Sequence, residues 1–207
     1  MLNREVVLVG YSGHGYVVAD VALASNMKVR FYTDKKRIAK NPFDLSYLGY
    51  EGNLDYKFWD KDYSYILGIG DNLIRRKTAD IIISQGKEIP NLIHSSASIS
   101  TKVQFGIGNF ISRNASVNAL VRIGDICILN TGCIIEHECV IGNGVHIAPG
   151  AVLAGNVEIG DNTFVGANTV IRQGVKIGRN VIIGAGSVIL KDIVDNKKIV
   201  GNPGKEI

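Results

Sequence analysis

The residues best suited to acid–base chemistry lie in Ile134–His146, which reads IIEHECVIGNGVH. His137 stands between Glu136 and Glu138, and His146 closes the run. An imidazole titrates near neutral pH, and a carboxylate bonded to one ring nitrogen fixes its tautomer and raises the basicity of the other. The local sequence leaves two readings open: a reaction centre, or the solvated face of a strand-rich segment. A second group lies near the start. GYSGHG (Gly10–Gly15) follows the β-branched run Val6–Val9 and opens a helical stretch. A glycine-rich turn at a helix N-terminus lets backbone N–H groups approach a phosphate, and the helix dipole favours the anion. Within it, His14 either donates to a phosphate or satisfies the loop. The spacing is G-x-x-G-x-G, not the G-x-G-x-x-G of dinucleotide sites. Asp34 ends the next apolar run, where an acidic residue meets a ribose or base, or else caps a turn. GIGDN (Gly68–Asn72) brings Gly70 to the same edge, and three such loops at the carboxyl ends of parallel strands suit a nucleotide-like ligand.

Two kinds of sequence must position these groups. Through about residue 90 short strands alternate with helical stretches: strands at Val6–Val9, Val29–Thr33 and Tyr65–Ile69, and helices at Tyr16–Ser25 and from Asn72 to about Gln85. That alternation implies a small parallel sheet covered by helices. The turn-rich, aromatic middle, Lys35–Lys61, has no clear assignment. After Pro90 a six-residue period takes over. Every sixth residue from Ile93 to Ile189 is bulky and apolar, without a slip, and the fourth residue after each is mostly small or β-branched. Neither a helix nor a plain strand has this period, whereas a solenoid of short strands joined by turns does. Stacked coils then share one core along the axis. A Gly or Asn often follows the apolar anchor directly (Gly106, Gly124, Gly142, Gly160), which suggests unusual backbone angles there.

The hexad run resembles the hexapeptide-repeat acyltransferases. With GYSGHG, GIGDN, NTGCIIEHECVIGNGVHI and the final VGNPGKEI, the whole chain resembles one subfamily: the PglD/NeuD-like sugar-nucleotide acetyltransferases, which N-acetylate 4-amino-4,6-dideoxy sugars. The resemblance implies an α/β Rossmann-like sheet domain (residues 1–90), a left-handed parallel β-helix (91–190) and a capping tail (191–207). In that fold three hexads make one triangular coil, so residues eighteen apart stack, and the sixteen hexads give a little over five coils, roughly 25 Å long at sheet spacing. Cys127, Cys133 and Cys139 then fill inward positions as small hydrophobes. His137 projects outward near a corner, and Gly155, eighteen residues on, leaves a gap beside its ring where a thioester could lie against a backbone N–H.

By position, the resemblance makes His137 the catalytic base and Glu138 its carboxylate partner. Ser12, Gly13, His14, Asp34, Gly70 and Asn130 fall on the sugar-nucleotide side. His146, Gly155, Ala167 and Ala185 fall on the acetyl-CoA side. It implies acetyl-CoA as co-substrate, no metal, a homotrimer with CoA between neighbouring helices, and direct transfer in a ternary complex. The carrier nucleotide (UDP, dTDP or GDP) stays open, because Lys35, Lys36 and Arg37 follow Asp34 where relatives often carry a second acid. An O-acetyltransferase acting on sialic acid or another sugar hydroxyl is the nearest rival. A zinc enzyme of the γ-carbonic anhydrase type needs three converging histidines, and here His94 is far in sequence from His137 and His146.

Composition narrows the classes further. Hydrophobic residues are 46% and charged residues 20% of the 207, and net charge is 23 − 19 = +4. That mild charge, with no basic–aromatic cluster, argues against nucleic acid and suits anionic small molecules. No apolar run reaches membrane-spanning length, the start MLNREVVLVG is too short and charged for a signal peptide, and the three cysteines lack CxxC spacing. A cytoplasmic bacterial enzyme is the expectation.

Overall fold

The computed structural model describes residues 4–207, so the first three residues of the MLNREVVLVG start lie outside the described residues. The chain forms two compact units, one ending at His94 and the other running from Ser95 to Ile207.

In the first unit, β1 (Glu5–Val9), β2 (Val29–Thr33), β3 (Ser46–Tyr47) and β4 (Tyr63–Leu67) form a parallel sheet in the order β3-β2-β1-β4. The apolar run in β1 is central, and Val7, Leu8 and Val9 are all buried. Helices α1 (Gly13–Ala24) and α2 (Asn72–Ser84) follow β1 and β4. Two bounds differ from the sequence expectation. The last strand ends at Leu67, because Gly68 already turns the chain. Helix α1 begins at Gly13, so the GHG of the glycine loop forms its first turn. The unassigned middle contributes β3 and is tied down by tyrosines. The Tyr11 hydroxyl donates to Asn41 Oδ1 (2.8 Å) and accepts from the Phe43 N–H (3.1 Å), and Tyr16 donates to the Lys40 carbonyl (3.0 Å).

The second unit is a parallel β-helix of two-residue strands with a three-walled section. The first wall stacks Ser98–Ile99, Ser116–Val117, Ile134–Ile135, Val152–Leu153, Val170–Ile171 and Val188–Ile189. The second runs from Gln104–Phe105 to Lys176–Ile177, and the third from Phe110–Ile111 through Ile182–Ile183 to Lys198–Val200, with Lys205–Glu206 added antiparallel. Register is eighteen residues between successive strands through Ile189, as in Ile135 on Leu153 and Ile147 on Val165, and sixteen at the final pairing of Ile183 on Ile199. The anchors fill one continuous core with Cys127, Cys133 and Cys139, which are free thiols. Burial pushes the Cys133 thiol up to about 12 and the Cys139 thiol to about 11, so neither is a nucleophile near neutral pH.

The special backbone angles lie elsewhere than expected. From Gly108 to Gly186 every sixth residue has positive φ, and these stand three places after the anchor, not one. Of these fourteen residues, eleven are Gly or Asn, the types that tolerate the left-handed region; Leu120, Ile126 and Glu138 are the others. The glycines directly after the anchors are small for a steric reason. A Cβ on Gly142 would come within 2.8 Å of the Asp161 backbone nitrogen, and one on Gly160 within 2.5 Å of that of Arg179.

Candidate active site

The candidate residues fall in three clusters. The first is at the corner after the first wall of the β-helix. His137 and Glu138 follow strand Ile134–Ile135, and His137 Nδ1 lies 3.1 Å from Glu138 Oε2. Both side chains are about half exposed. A carboxylate accepts only, so the pair places the proton on Nδ1 and leaves the Nε2 lone pair available. Glu138 holds φ +60, the left-handed region, where the other coils mostly use Gly or Asn. That conformation carries a cost for a side chain with a Cβ, and such residues concentrate at functional sites. The gap expected over Gly155 is filled by the imidazole: a Cβ there would lie 2.5 Å from His137 Cε1 and 2.6 Å from Nε2. Gly155 therefore makes room for the ring, not for a thioester in its place. The Gly155 carbonyl accepts from Gly174, and its own N–H has no acceptor among the described residues.

The second cluster lies on the third wall and the corner after it. His146, 8% exposed, has its Nε2 3.2 Å from Asn130 Nδ2 and packs edge-on against Phe164. The amide donating to Nε2 fixes the Nδ1–H tautomer. Asn130 and His146, which sequence position assigned to different ligands, are thus one hydrogen-bonded unit. Ala167 and Ala185 stack at the same corner, with Ala167 half-buried and Ala185 exposed.

The third cluster is the carboxyl edge of the first unit's sheet. Three glycines there are packing requirements. A Cβ on Gly15 or on Gly68 would collide with the Gly10 carbonyl, and Gly10 itself has φ +83. Gly13 is different: nothing lies within 4 Å of its Cβ position, so it leaves open space at the start of α1. Ser12, the N-cap, makes no side-chain cap bond and is exposed. Burial, with the Arg75 charge adding to it, pushes the His14 imidazole down to about 4, so His14 is neutral at ordinary pH. Gly70 lies against it, its Cβ position 3.9 Å from His14 Cβ. Asp34 accepts from the backbone N–H of Tyr11 (3.0 Å) and of Lys35 (2.7 Å), one on each carboxylate oxygen. It ties the glycine loop to the end of β2, so of the two sequence readings the geometry adds weight to the turn. Arg75, fully buried beneath these loops, was missed because NLIRRK reads as an exposed helix face. Among the described residues no group of three His, Cys, Asp or Glu could hold a metal, and no helix is long and apolar enough to cross a membrane.

Comparison with known proteins bears on both units. Residues 5–82 match the PglD N-terminal domain, and residues 120–155 and 156–191 match the bacterial transferase hexapeptide (six repeats). The acetyltransferase domain of PglB from Neisseria gonorrhoeae FA1090 is 31% identical over 99% of this chain and 100% of that one, with a TM-score of 0.91. The chain belongs to the PglD-type sugar acetyltransferases. This family's fold, a small parallel α/β domain followed by a left-handed β-helix, is the fold of the chain, and the protein is an acyltransferase. PerB from Caulobacter crescentus, solved in complex with CoA and GDP-perosamine, is 31% identical, covering 99% of this chain and 98% of that one at a TM-score of 0.92. WeeI from Acinetobacter baumannii AYE, at 22% identity over 99% of this chain and 100% of that one and TM-score 0.90, shares the fold.

Proposed function

We propose that the protein transfers an acetyl group from acetyl-CoA to the C-4 amine of a nucleotide-linked 4-amino-4,6-dideoxyhexose, for synthesis of a surface glycan. The observation that carries this reading is the His137–Glu138 pair at 3.1 Å, with Nε2 left as the basic nitrogen. The like proteins support the substrate classes, since PglB's acetyltransferase domain is known in complex with acetyl coenzyme A and PerB with CoA and GDP-perosamine together.

In the reaction the amine nitrogen attacks the thioester carbonyl while His137 Nε2 removes the amine proton. Glu138 holds the ring's tautomer and stabilises the imidazolium that forms. Oxygen charge develops on the tetrahedral intermediate, and a backbone N–H at this corner is the kind of donor that would stabilise it. Collapse breaks the carbon–sulfur bond, and the proton passes to the thiolate to give CoA and the N-acetyl sugar. The buried cysteines supply no covalent carrier, so transfer is direct. Ser12, Gly13, His14 and Gly70 hold the nucleotide, with Asp34 fixing their loop.

Within one β-helix, His137, Glu138 and Gly155 lie at one edge of the first wall, while Asn130, Ala167 and Ala185 lie at its other edge and His146 on the wall beyond. The outer face of that first wall starts with Ser98 and Ser116 and continues as an apolar ladder of Ile134, Val152, Val170 and Val188, with Ile134 37% and Val170 42% exposed. The corresponding ladder of the second wall carries Arg122, Glu158 and Lys176. A ring of three copies with the apolar walls facing the axis brings one edge of each copy to the other edge of the next. The base of one protomer then meets Asn130 and His146 of its neighbour, with CoA between them.

An acceptor panel tests the reading: CoA release from acetyl-CoA with 4-amino-4,6-dideoxyhexoses on UDP, dTDP and GDP, and with sugar hydroxyl acceptors including sialic acid. Turnover confined to an amino sugar supports N-acetylation. Turnover confined to a hydroxyl acceptor makes the protein an O-acetyltransferase and removes the amine step.

A further inference from the structure

The first unit keeps a cation in its interior. Arg75, in the first turns of α2, is 1% exposed, a rare state for arginine. Its Nη1 donates to the carbonyls of Gly70 (3.0 Å) and Ile69 (3.3 Å), and its Nη2 to Asn72 Oδ1 (3.0 Å). Burying a guanidinium is costly, and an apolar side chain of similar length would pack α2 without that penalty. What the guanidinium does in this place is organise the loop between β4 and α2. Two consecutive carbonyls of GIGDN are turned inward onto one guanidinium nitrogen while the other nitrogen holds Asn72, a planar two-nitrogen arrangement that lysine's single ammonium cannot reproduce. The backbone of Ile69 and Gly70 is thereby fixed beside His14 and the start of α1.

We propose that Arg75 is the positioning residue of an anion site for the diphosphate of a nucleoside diphosphate: it fixes the Gly68–Asn72 loop and supplies a positive field at the glycine-loop edge without touching the ligand. The inference rests on the nucleotide-sugar reading above and adds to it a residue outside the glycine motifs. Its field is already felt at His14, where the Arg75 charge reinforces burial in holding the imidazole neutral. A field that disfavours a cation there favours an anion. The groups on that side suit one: the open Gly13 and the uncapped Ser12 hydroxyl at a helix N-terminus.

The test compares KM values for Arg75→Met and Arg75→Lys. In Arg75→Met, KM for the nucleotide sugar rises about tenfold through the loosened loop and the lost field, while KM for acetyl-CoA and saturating kcat hold. Arg75→Lys, with the charge but not the fork, falls between the two. An unchanged nucleotide-sugar KM in folded Arg75→Met, or an equal rise in both KM values, overturns the proposal. If Arg75→Met does not fold, Arg75→Lys decides: a rise confined to the nucleotide sugar supports the role, and no rise overturns it. Calorimetric titration with inorganic pyrophosphate separates this role from the substrate reading. Weaker binding to the variants than to the unaltered protein supports Arg75 even where no nucleotide sugar is turned over; equal binding, or none to any of the three, overturns it.

Discussion

At the scale of single residues the proposed site is three adjoining choices: a histidine, a carboxylate bonded to it, and a glycine that gives its ring room. Each has a distinct signature. Glu138 sits at φ +60, where glycine is relaxed and a residue with a Cβ is not. Glu138→Gly is therefore expected to raise the melting midpoint by about 2–4 °C, since relief of αL strain is worth about 1 kcal/mol, while lowering kcat. Differential scanning calorimetry beside a CoA-release assay checks both directions; a variant that loses stability removes the strain interpretation. Gly155→Ala places a methyl against His137 Cε1 and Nε2. It should cut kcat by at least about tenfold through displacement of the base, with the fold intact by circular dichroism. The pairing of His137 with Glu138 was legible from adjacency and motif. The steric use of Gly155 was not, because stacking by eighteen says which residues meet but not which of them fills the space.

At the scale of elements, the hexad period was plain in the sequence because one face of every short strand must be apolar. Which residues make the turns was less plain. Glycine serves two unrelated needs in one hexad, and composition alone does not separate a corner that needs positive φ from one that has no room for a Cβ. The structure separates them. Gly142→Ala should destabilise the β-helix by about 1–3 kcal/mol through its clash with Asp161, whereas Gly132→Asn, at a φ +66 position with open space around it, should cost less than about 1 kcal/mol. Denaturant unfolding of the two variants distinguishes the cases. In the first unit the tyrosine-bonded middle was illegible because its order comes from side-chain hydrogen bonds across tens of residues, which leave no period. His14 there has its proton affinity lowered from the ordinary 6.5 to about 4. Its neutral form is the one the fold favours, so its contribution to stability is present above about pH 6.5 and is lost as pH falls toward 4. Proton NMR of the His14 ring should show no titration between pH 8 and 5; a midpoint near 6.5 contradicts the buried, Arg75-facing setting.

At the scale of the whole molecule, the fold class and the order of its two parts were readable from the switch between strand–helix alternation and the six-residue period. The homotrimer with CoA between neighbouring helices came from the family resemblance, since no single-chain pattern shows which edges meet. Mixing offers a check. His137→Ala and His146→Ala variants, each weakened alone, should regain part of the wild-type rate when unfolded and reassembled together, because some interfaces then carry both intact residues. Sedimentation should report three copies. Additive, unrecovered rates would place both histidines in one protomer's site. The central claim is that His137 is the base for acetyl transfer to an amine, and its most direct measurement is kcat of His137→Ala with acetyl-CoA and the preferred amino-sugar nucleotide, beside the unaltered protein. The account predicts a fall of about 10²–10⁴ at pH 7 with both KM values little changed. A variant that retains the full rate would contradict it.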